Sequence, residues 1–424
     1  MTASRQLNEN LKKKSTVEPP LNAPLRVVYA WNYVEWGGAQ IYFLGVASRI
    51  KDRACVSMVF PRATSRLFLD FCDHFGVEYE FLETANDLAP APTLGRKFER
   101  HFRKWRAERE LVRDLEKRIA PGTVLHVELA PWQSINALVR LSRKAPLFVT
   151  MHNRLPPAPA WRRWWWKLKL KTISRYENFR VFASNRDARE SLRPLVPPAL
   201  LERVEITYTN VNPDEVEAAL AADLPSENNP AQAALPAASF LVFCVGQFID
   251  RKGRWVFLEA ARLVSEAAPE IGFVWITNST LTSEEKSRID GYGLGENFAL
   301  LASETIGREH LELMKFLRLA DCFALPSFQE GLPISLLEAM AVGLPSISTR
   351  VNAIPEAIID RETGLLIEAG DARALADAVL EIYRDENLRR KLSANGQKHV
   401  IENFNEKSVA ETVFNAYRKA AGGN

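Results

Sequence analysis

The sequence predicts an α/β protein made of two doubly wound, Rossmann-like domains in tandem, each with a parallel sheet. Strand and helix patterns alternate along the chain, which is typical of parallel sheets joined by right-handed crossovers. The order strand, glycine loop, helix occurs twice, once in each half. The 424 residues, 47% of them hydrophobic, are enough for two or three domains with cores of their own.

The two similar units suggest where a ligand binds. The first has the apolar run RVVYAW from residue 26, a loop with two glycines and an apolar-periodic segment that ends at Ile50. The second has FLVFCVG from residue 240, a loop that ends in Lys252 and Gly253, and a helix. Ligands of open parallel sheets bind beyond the carboxyl ends of the strands, so we expect both loops to face one central cleft.

Composition sets the expected domain boundaries. The stretch between the halves is rich in Ala, Pro, Asn and acidic residues and contains no Lys or Arg, which favours a linker with a short helix at its start. The expected parts are a mobile tail at 1–24, an N-terminal Rossmann-like domain at 25–212, the linker at 213–239, a C-terminal Rossmann-like domain at 240–400, and a final helix at 401–424 that can pack back on the N-terminal domain.

The expected compartment is the cytoplasm. Four widely spaced cysteines form no paired metal or redox motif, which favours a reducing environment. The polar, basic N-terminus has no apolar leader segment, and no run of 18 apolar residues occurs. We therefore expect a cytoplasmic protein that can lie peripherally at the inner face of the membrane.

The most informative segment is PSFQEGLPISLLEAMAVGLP, which starts at Pro326. Pro333 suits a first helical turn and Gly343 a helix stop, so a helix is predicted from about Pro333 to Val342. Free backbone N–H groups at its start can bind a diphosphate. Glu330 can accept a hydrogen bond from a hydroxyl beside that phosphate, and Glu338 can reach a second diol.

These two glutamates, separated by seven residues, resemble the signature of the retaining glycosyltransferases of family 4, which have the GT-B fold. Further segments follow in the family's order from about Arg26 to Tyr417. They are GGAQ at Gly37, VTMHN at Val149, ASNRDA at Ala183, TNVN at Thr209, VGQFIDRKG at Val245, LPSFQEG at Leu325 and ETGLLIE at Glu362.

The resemblance implies that a sugar passes from a nucleotide-sugar, a UDP- or GDP-sugar, to a glycan or lipid-linked acceptor with retention of configuration, in cell-surface polysaccharide or glycolipid biosynthesis. Glu330 would hold a donor-sugar hydroxyl and Glu338 the ribose. Neither a metal nor another cofactor is implied. The backbone that approaches the sugar and phosphates would be that of Gly331, Leu332, Pro333 and Ile334.

The glycine loop at Val245 supplies the cation that the resemblance requires. Lys252 matches the family's diphosphate-binding lysine. The family usually has an arginine after the first glycine, whereas this chain has Gln247. The neighbouring Arg251 either compensates for that missing charge or faces solvent, and both interpretations remain open.

On the N-terminal side, Gly37 and Gly38 resemble the loop that approaches the donor from the opposite domain, which glycine allows because it has no Cβ. His152, at a predicted strand end, matches the family's active-site histidine and is expected to contact the donor sugar. His126 is ranked second, with a core role as the favoured explanation. In TNVN, Asn210 takes a glycine's place and is expected to tolerate a positive φ.

The positive charge of the chain is concentrated in two segments. Residues 1 to 212 carry 35 Lys and Arg against 21 Asp and Glu, whereas residues 213 to 424 carry 20 against 31. The basic excess lies largely in residues 96–118 and 161–180, where aromatic residues are interleaved. An anionic membrane surface or a solvated basic face with core tryptophans both fit. A nucleic-acid partner is not expected, because nothing resembles a nucleic-acid module.

Two other functions remain open. A GT-B sugar-nucleotide epimerase would act on a nucleotide-sugar without an acceptor. A catalytically inactive nucleotide-sugar-binding protein is the alternative outside enzymes, and the glutamine at 247 favours it.

Overall fold

The computed structural model describes residues 24–35, 37–86, 94–226, 229–307 and 309–422. The expected tail at 1–24 lies outside these residues except for Pro24. The described chain forms two parallel sheets, one from each half, with helices on their faces. The α/β class and the two Rossmann-like units predicted from the alternating pattern are confirmed.

The N-terminal sheet has the order β3-β2-β1-β4-β5-β6-β7. Its strands are β1 (Arg26–Ala30), β2 (Cys55–Pro61), β3 (Glu78–Leu82), β4 (Thr123–Val127), β5 (Leu147–Met151), β6 (Phe179–Ala183) and β7 (Glu205–Ile206). The helices between them are α1 (Gly38–Ile50), α2 (Arg66–Phe75), α3 (Leu94–Arg118), α4 (Ile135–Ser142), α5 (Ala160–Ile173), α6 (Arg186–Leu192) and α7 (Pro198–Glu202). The order reverses beside β1, so the β1 loop opens at a topological switch point.

The C-terminal sheet has the order β10-β9-β8-β11-β12-β13. Its strands are β8 (Phe240–Val245), β9 (Ile271–Thr277), β10 (Phe298–Ala302), β11 (Cys322–Leu325), β12 (Ser346–Thr349) and β13 (Leu365–Ile367). The helices that precede it, cover it and follow it are α8 (Pro213–Ala221), α9 (Pro230–Ala233), α10 (Arg254–Ala267), α11 (Ser283–Asp290), α12 (Ser303–Ile306), α13 (His310–Leu317), α14 (Ile334–Ala341), α15 (Ile354–Ala357), α16 (Ala372–Arg384), α17 (Glu386–Asn403) and α18 (Glu406–Ala420).

The connection between the two sheets is packed rather than free. In the segment expected as a linker, Val216 and Ala219 of α8 and Ala231 of α9 are buried in the C-terminal core. Its Ala-rich composition therefore forms two short helices that belong to the C-terminal domain. Asn210, just before it, does not take the expected positive φ, since Asn352 and Arg361 are the non-glycine residues that do within the described ranges.

The last helix, α18, packs against α1 of the N-terminal domain. Val413, Phe414 and Tyr417 join the apolar cluster on that side of the first sheet. The Tyr417 hydroxyl bonds to Nδ1 of His126, whose Nε2 lies 2.8 Å from Thr150 Oγ1. His126 is thus a fully buried core residue whose polar atoms are paired.

Candidate active site

The cleft between the sheets is narrow where the N-terminal strand ends meet the loop before α14. A Cβ placed on Gly331 would lie 2.5 Å from the carbonyl oxygen of His152, at the end of β5. A Cβ on Gly38 would lie 3.5 Å from Cδ1 of Ile334. The two predicted glycine-containing segments therefore face each other, and only residues without a side chain fit at the closest point.

The start of α14 lies at this cleft, and its first N–H groups have no hydrogen-bond partner among the described residues. Pro333 is the N-cap, in an extended conformation, and the helix begins at Ile334. Leu332 and Pro333 are buried beneath the loop, whereas Gly331 is partly exposed. An N-terminal helix end of this kind favours a bound anion.

Glu330 lies at the centre of a charged cluster and is 6% exposed. Its Oε1 lies 2.7 Å from Nζ of Lys252 and accepts a hydrogen bond of 2.7 Å from Ser327 Oγ. Its Oε2 lies 3.3 Å from Nη1 of Arg251. The Glu330 N–H donates to Asn352 Oδ1 at 3.2 Å, and this hydrogen bond holds the backbone of Glu330 in place.

Arg251 faces this cluster rather than only solvent. Its Nη1 also donates to the carbonyl oxygen of Gln329 at 2.9 Å, although the side chain is 43% exposed. Gln247 is exposed. The second cation of the site thus comes from position 251, next to Lys252.

A glycine fixes where Lys252 stands. Lys252 ends a short 3-10 turn, Asp250–Lys252, and Gly253 follows with φ +76°. A Cβ on Gly253 would lie 1.9 Å from the carbonyl oxygen of Pro326. The lysine loop can therefore lie directly against the segment that carries Glu330 only because position 253 is glycine.

Glu338 is held from a different side. It is 5% exposed on α14, and its Oε1 lies 2.8 Å from Nε2 of His310 on α13. The other ring nitrogen of His310 lies 2.8 Å from Oε2 of Glu215 on α8. His310 and Glu215 were not expected from the sequence as parts of the site.

His152 closes the N-terminal side. Its backbone oxygen accepts from Ser184 Oγ and Asn185 Nδ2, at 3.1 and 3.2 Å. Its Nε2 is buried and has no hydrogen-bond partner in the part of the chain that the structure describes. Burial lowers the pKa of His152 to about 4, so its imidazole is neutral near pH 7.

A group of polar side chains beside the glycine loop was likewise not predicted from the sequence. Gln40 Nε2 donates to both Glu128 Oε2 and Tyr33 Oη, while the Gln40 side-chain oxygen accepts from the Gly37 N–H at 2.9 Å. Glu128 lies just beyond β4. Burial raises the pKa of its carboxyl to about 7, although the hydrogen bond from Tyr33 lowers it.

Glu128 gives the stability of the protein a pH dependence. Between its ordinary pKa of 4.5 and the raised value of about 7, the folded state holds a proton that the unfolded state has released. The free energy of unfolding therefore falls as pH rises through this window. Glu128→Gln lacks this titration, so we expect its stability relative to wild type to increase by about 2 kcal/mol from pH 5 to 8, measured by urea unfolding.

Glu116→Gln is the matched control. A hydrogen bond from Arg140 lowers the pKa of Glu116 to about 2, so this carboxylate is ionised in both states above pH 5.5. The difference in free energy of unfolding between Glu116→Gln and wild type should stay constant from pH 5.5 to 8. A constant difference for Glu128→Gln as well would contradict the assignment.

Within the described ranges, no three His, Cys, Asp or Glu side chains are grouped to hold a metal ion. Among the helices that the structure describes, none combines the length and apolar character needed to span a bilayer.

Two facing parallel α/β domains with a site between them define the GT-B class of folds. The chain superimposes on a glycosyltransferase from Rickettsia africae with a TM-score of 0.74 at 14% identity, over 95% of this chain and 100% of that one. Anabaena HepE, solved with UDP and glucose, superimposes with a TM-score of 0.70 at 14% identity, over 93% of this chain and 100% of that one. The GT-B fold predicted from the resemblance is confirmed.

The C-terminal half matches the model of a known family. Residues 225–399 match the family Glycosyl transferases group 1. A lipopolysaccharide core biosynthesis mannosyltransferase, LpsB of Rhizobium meliloti, is 30% identical over 189 residues, which are 43% of this chain and 52% of the relative. The chain thus spans about half the length of this curated relative.

Proposed function

We propose that this protein is a retaining glycosyltransferase that takes a sugar from a UDP- or GDP-sugar and passes it to an acceptor hydroxyl. The observation that carries the proposal is the cluster of Lys252, Arg251 and Glu330 beside the free N–H groups of α14, opposite His152. The names of the matched relative and of the HepE complex support a role in cell-surface polysaccharide or glycolipid synthesis and a nucleotide-sugar donor.

The chemistry follows from charge placement. The bond between the anomeric carbon and the diphosphate oxygen breaks, and the electron pair leaves with the diphosphate. Lys252, Arg251 and the helix N–H groups stabilise that developing charge, so the proposed reaction uses no metal or other cofactor. The acceptor oxygen bonds to the anomeric carbon on the same face, and its proton passes to the departing diphosphate.

Each carboxylate has a separate proposed role. Glu330 exchanges part of its ion pairing for a hydroxyl of the donor sugar when phosphate approaches the two cations. Glu338 accepts from the ribose. Neutral His152, whose Nε2 has no hydrogen-bond partner among the described residues, can bond to a sugar hydroxyl without adding positive charge near the reacting carbon. The proposed donor contacts are thus made mainly by the C-terminal domain.

The test is a panel of UDP-, GDP- and ADP-sugars, first by thermal shift and then by product analysis. Binding followed by transfer, with the anomeric configuration kept in the NMR spectrum of the product, supports the proposal. An altered sugar on an intact nucleotide-sugar would instead indicate an epimerase. Binding without turnover for any donor, with glycan and lipid-linked acceptors supplied, would indicate an inactive binding protein.

We also propose that the acceptor side rests on an anionic membrane surface at the cytoplasmic face. Helix α5 buries Trp166, Leu170 and Ile173 in the domain core, so that face is occupied. The opposite face is exposed, with Trp161 at 63%. The exposed apolar side chains of α3 and α5, which we call the aromatic patch, are Phe98, Phe102, Trp105, Trp161, Trp164, Trp165 and Leu168.

Two observations favour lipid as the occupant of the aromatic patch. Lys104 and Lys169 bond to Gln133 Oε1 and to the Trp132 oxygen, at 2.5 and 3.0 Å, so α3 and α5 flank one loop and present basic residues together. Residues 161–180 carry seven basic residues and one acidic residue. Exposed tryptophans among basic side chains suit the interface of an anionic bilayer, at about 1 kcal/mol per basic residue near the surface.

Replacing two tryptophans of the aromatic patch should weaken binding of the protein to anionic lipid vesicles. We expect Trp164→Ala/Trp165→Ala to reduce flotation with phosphatidylglycerol-containing liposomes by at least about tenfold, since each ring buries apolar area in the interface. Leu67→Ala is the control, because Leu67 is an exposed apolar residue of α2 outside the aromatic patch. Equal flotation of all three proteins, or none by wild type at low salt, would rule out the membrane role.

A further inference from the structure

His310 connects the site to the segment that joins the two domains. Its side chain lies between two carboxylates, with Nε2 at 2.8 Å from Glu338 and Nδ1 at 2.8 Å from Glu215. Glu338 belongs to α14, whose N-terminus faces the cleft. Glu215 belongs to α8, which follows directly after the N-terminal domain.

The geometry fixes the protonation state of the ring. Two ionised carboxylates can only accept hydrogen bonds, so both ring nitrogens must carry a proton. Burial lowers the pKa of His310, but the charges and hydrogen bonds of Glu338 and Glu215 outweigh it and raise the pKa well above its ordinary value. His310 is therefore a cation between two anions.

This pairing prepares Glu338 to bind a diol. The hydrogen bond from the imidazolium supplies a positive charge beside this nearly buried carboxylate and fixes its orientation through one oxygen. In the part of the chain that the structure describes, no further hydrogen bond to Glu338 Oε2 is present. That oxygen can accept from a pair of neighbouring hydroxyls.

We propose that His310 is a positioning residue of the donor site, which acts through Glu338 to favour nucleotides that carry an intact ribose diol. The inference rests on the proposed function, because it takes Glu338 as the ribose contact. Glu215 has a secondary role, because it accepts a hydrogen bond from the other nitrogen of His310. It thereby connects Glu338, through His310, to helix α8. Specificity for ribose thus depends on a residue that need not touch the nucleotide.

The test compares two ligands that differ only in the diol. Calorimetry gives the dissociation constants of UDP and 2′,3′-dideoxy-UDP, or of the corresponding guanosine nucleotides if the donor panel selects GDP. The proteins compared are wild type, His310→Gln, Glu338→Gln and the double variant. We expect His310→Gln to weaken binding of the ribonucleotide about tenfold and that of the dideoxy analogue less than twofold. The double variant should bind no more weakly than Glu338→Gln, because His310 acts through Glu338.

His399→Gln controls for the loss of a histidine, because His399 lies on α17 and contacts the Glu356 carbonyl oxygen instead of a carboxylate. Equal weakening of both ligands by His310→Gln, or none, would overturn the role of His310 while leaving the proposed function intact. Wild type that binds neither the uridine nor the guanosine nucleotides would overturn both. The unfolding temperature of His310→Gln, compared with that of wild type, shows whether a loss of affinity comes only from misfolding.

Discussion

Lys252→Ala is expected to lower kcat for sugar transfer about 10²- to 10³-fold. Lys252 Nζ lies 2.7 Å from Glu330 beside the free N–H groups of α14, where it would meet charge that develops on the departing diphosphate. Removing one such group from a partly desolvated site costs about 3 to 4 kcal/mol of transition-state stabilisation. The rate of nucleoside diphosphate release, measured in a coupled assay, gives this value.

The fold should survive this change, because Arg251 still contacts the Glu330 carboxylate. Lys398→Ala is the matched control, since Lys398 is a surface lysine of α17 whose contact with Glu402 is 4.0 Å long. We expect it to keep wild-type kcat. Transfer by Lys252→Ala at a rate close to that of wild type would remove Lys252 from the proposed mechanism.

Gly331→Ala is expected to reduce kcat/KM about 10- to 100-fold with little change in thermal stability. The added Cβ would lie 2.5 Å from the His152 oxygen and 2.8 Å from Asn153 Oδ1, both on the opposite domain. Ser184 and Asn185 hold that oxygen, so the strand end cannot yield easily. Gly331 does not have a positive φ, so alanine does not strain the backbone of the loop, and the steric conflict instead opposes the close approach of the two domains. A small displacement of the reacting groups from each other is enough to lower kcat/KM by this factor.

Gly95→Ala serves as its control. Gly95 lies in α3, and a Cβ there would meet nothing within 4 Å. Steady-state kinetics and unfolding temperatures of both variants separate a steric effect in the cleft from a general effect of replacing glycine. Unchanged kinetics in Gly331→Ala would mean that the domains do not need this close approach.

The fold could be predicted because its signals are local. The central strands of a doubly wound sheet are buried on both faces and therefore read as short, mainly apolar runs, as in β9, whose seven residues are all buried. The strand, glycine loop and helix at each opening are likewise visible in fewer than 30 residues. The spacing of Glu330 and Glu338 was equally accessible, because both lie within one short segment.

The rest of the site depends on contacts that no local pattern encodes. Gln40 and Glu128 are 88 positions apart, and His310 reaches Glu215 across 95. Each residue alone resembles an ordinary surface or strand-end side chain. Only the topology of the sheets brings them together, so a sequence without the fold gives no reason to choose them.

The position of Tyr417 in the first domain has a consequence for how the chain acquires its structure. Its hydroxyl lies 3.2 Å from that of Tyr29, a partner 388 positions earlier, and it also pairs the buried His126. While the ribosome is still making the second domain, the first domain lacks part of its apolar core and leaves that histidine without this bond. The half that is synthesised first should therefore complete its folding last, and the two halves should unfold together rather than one by one.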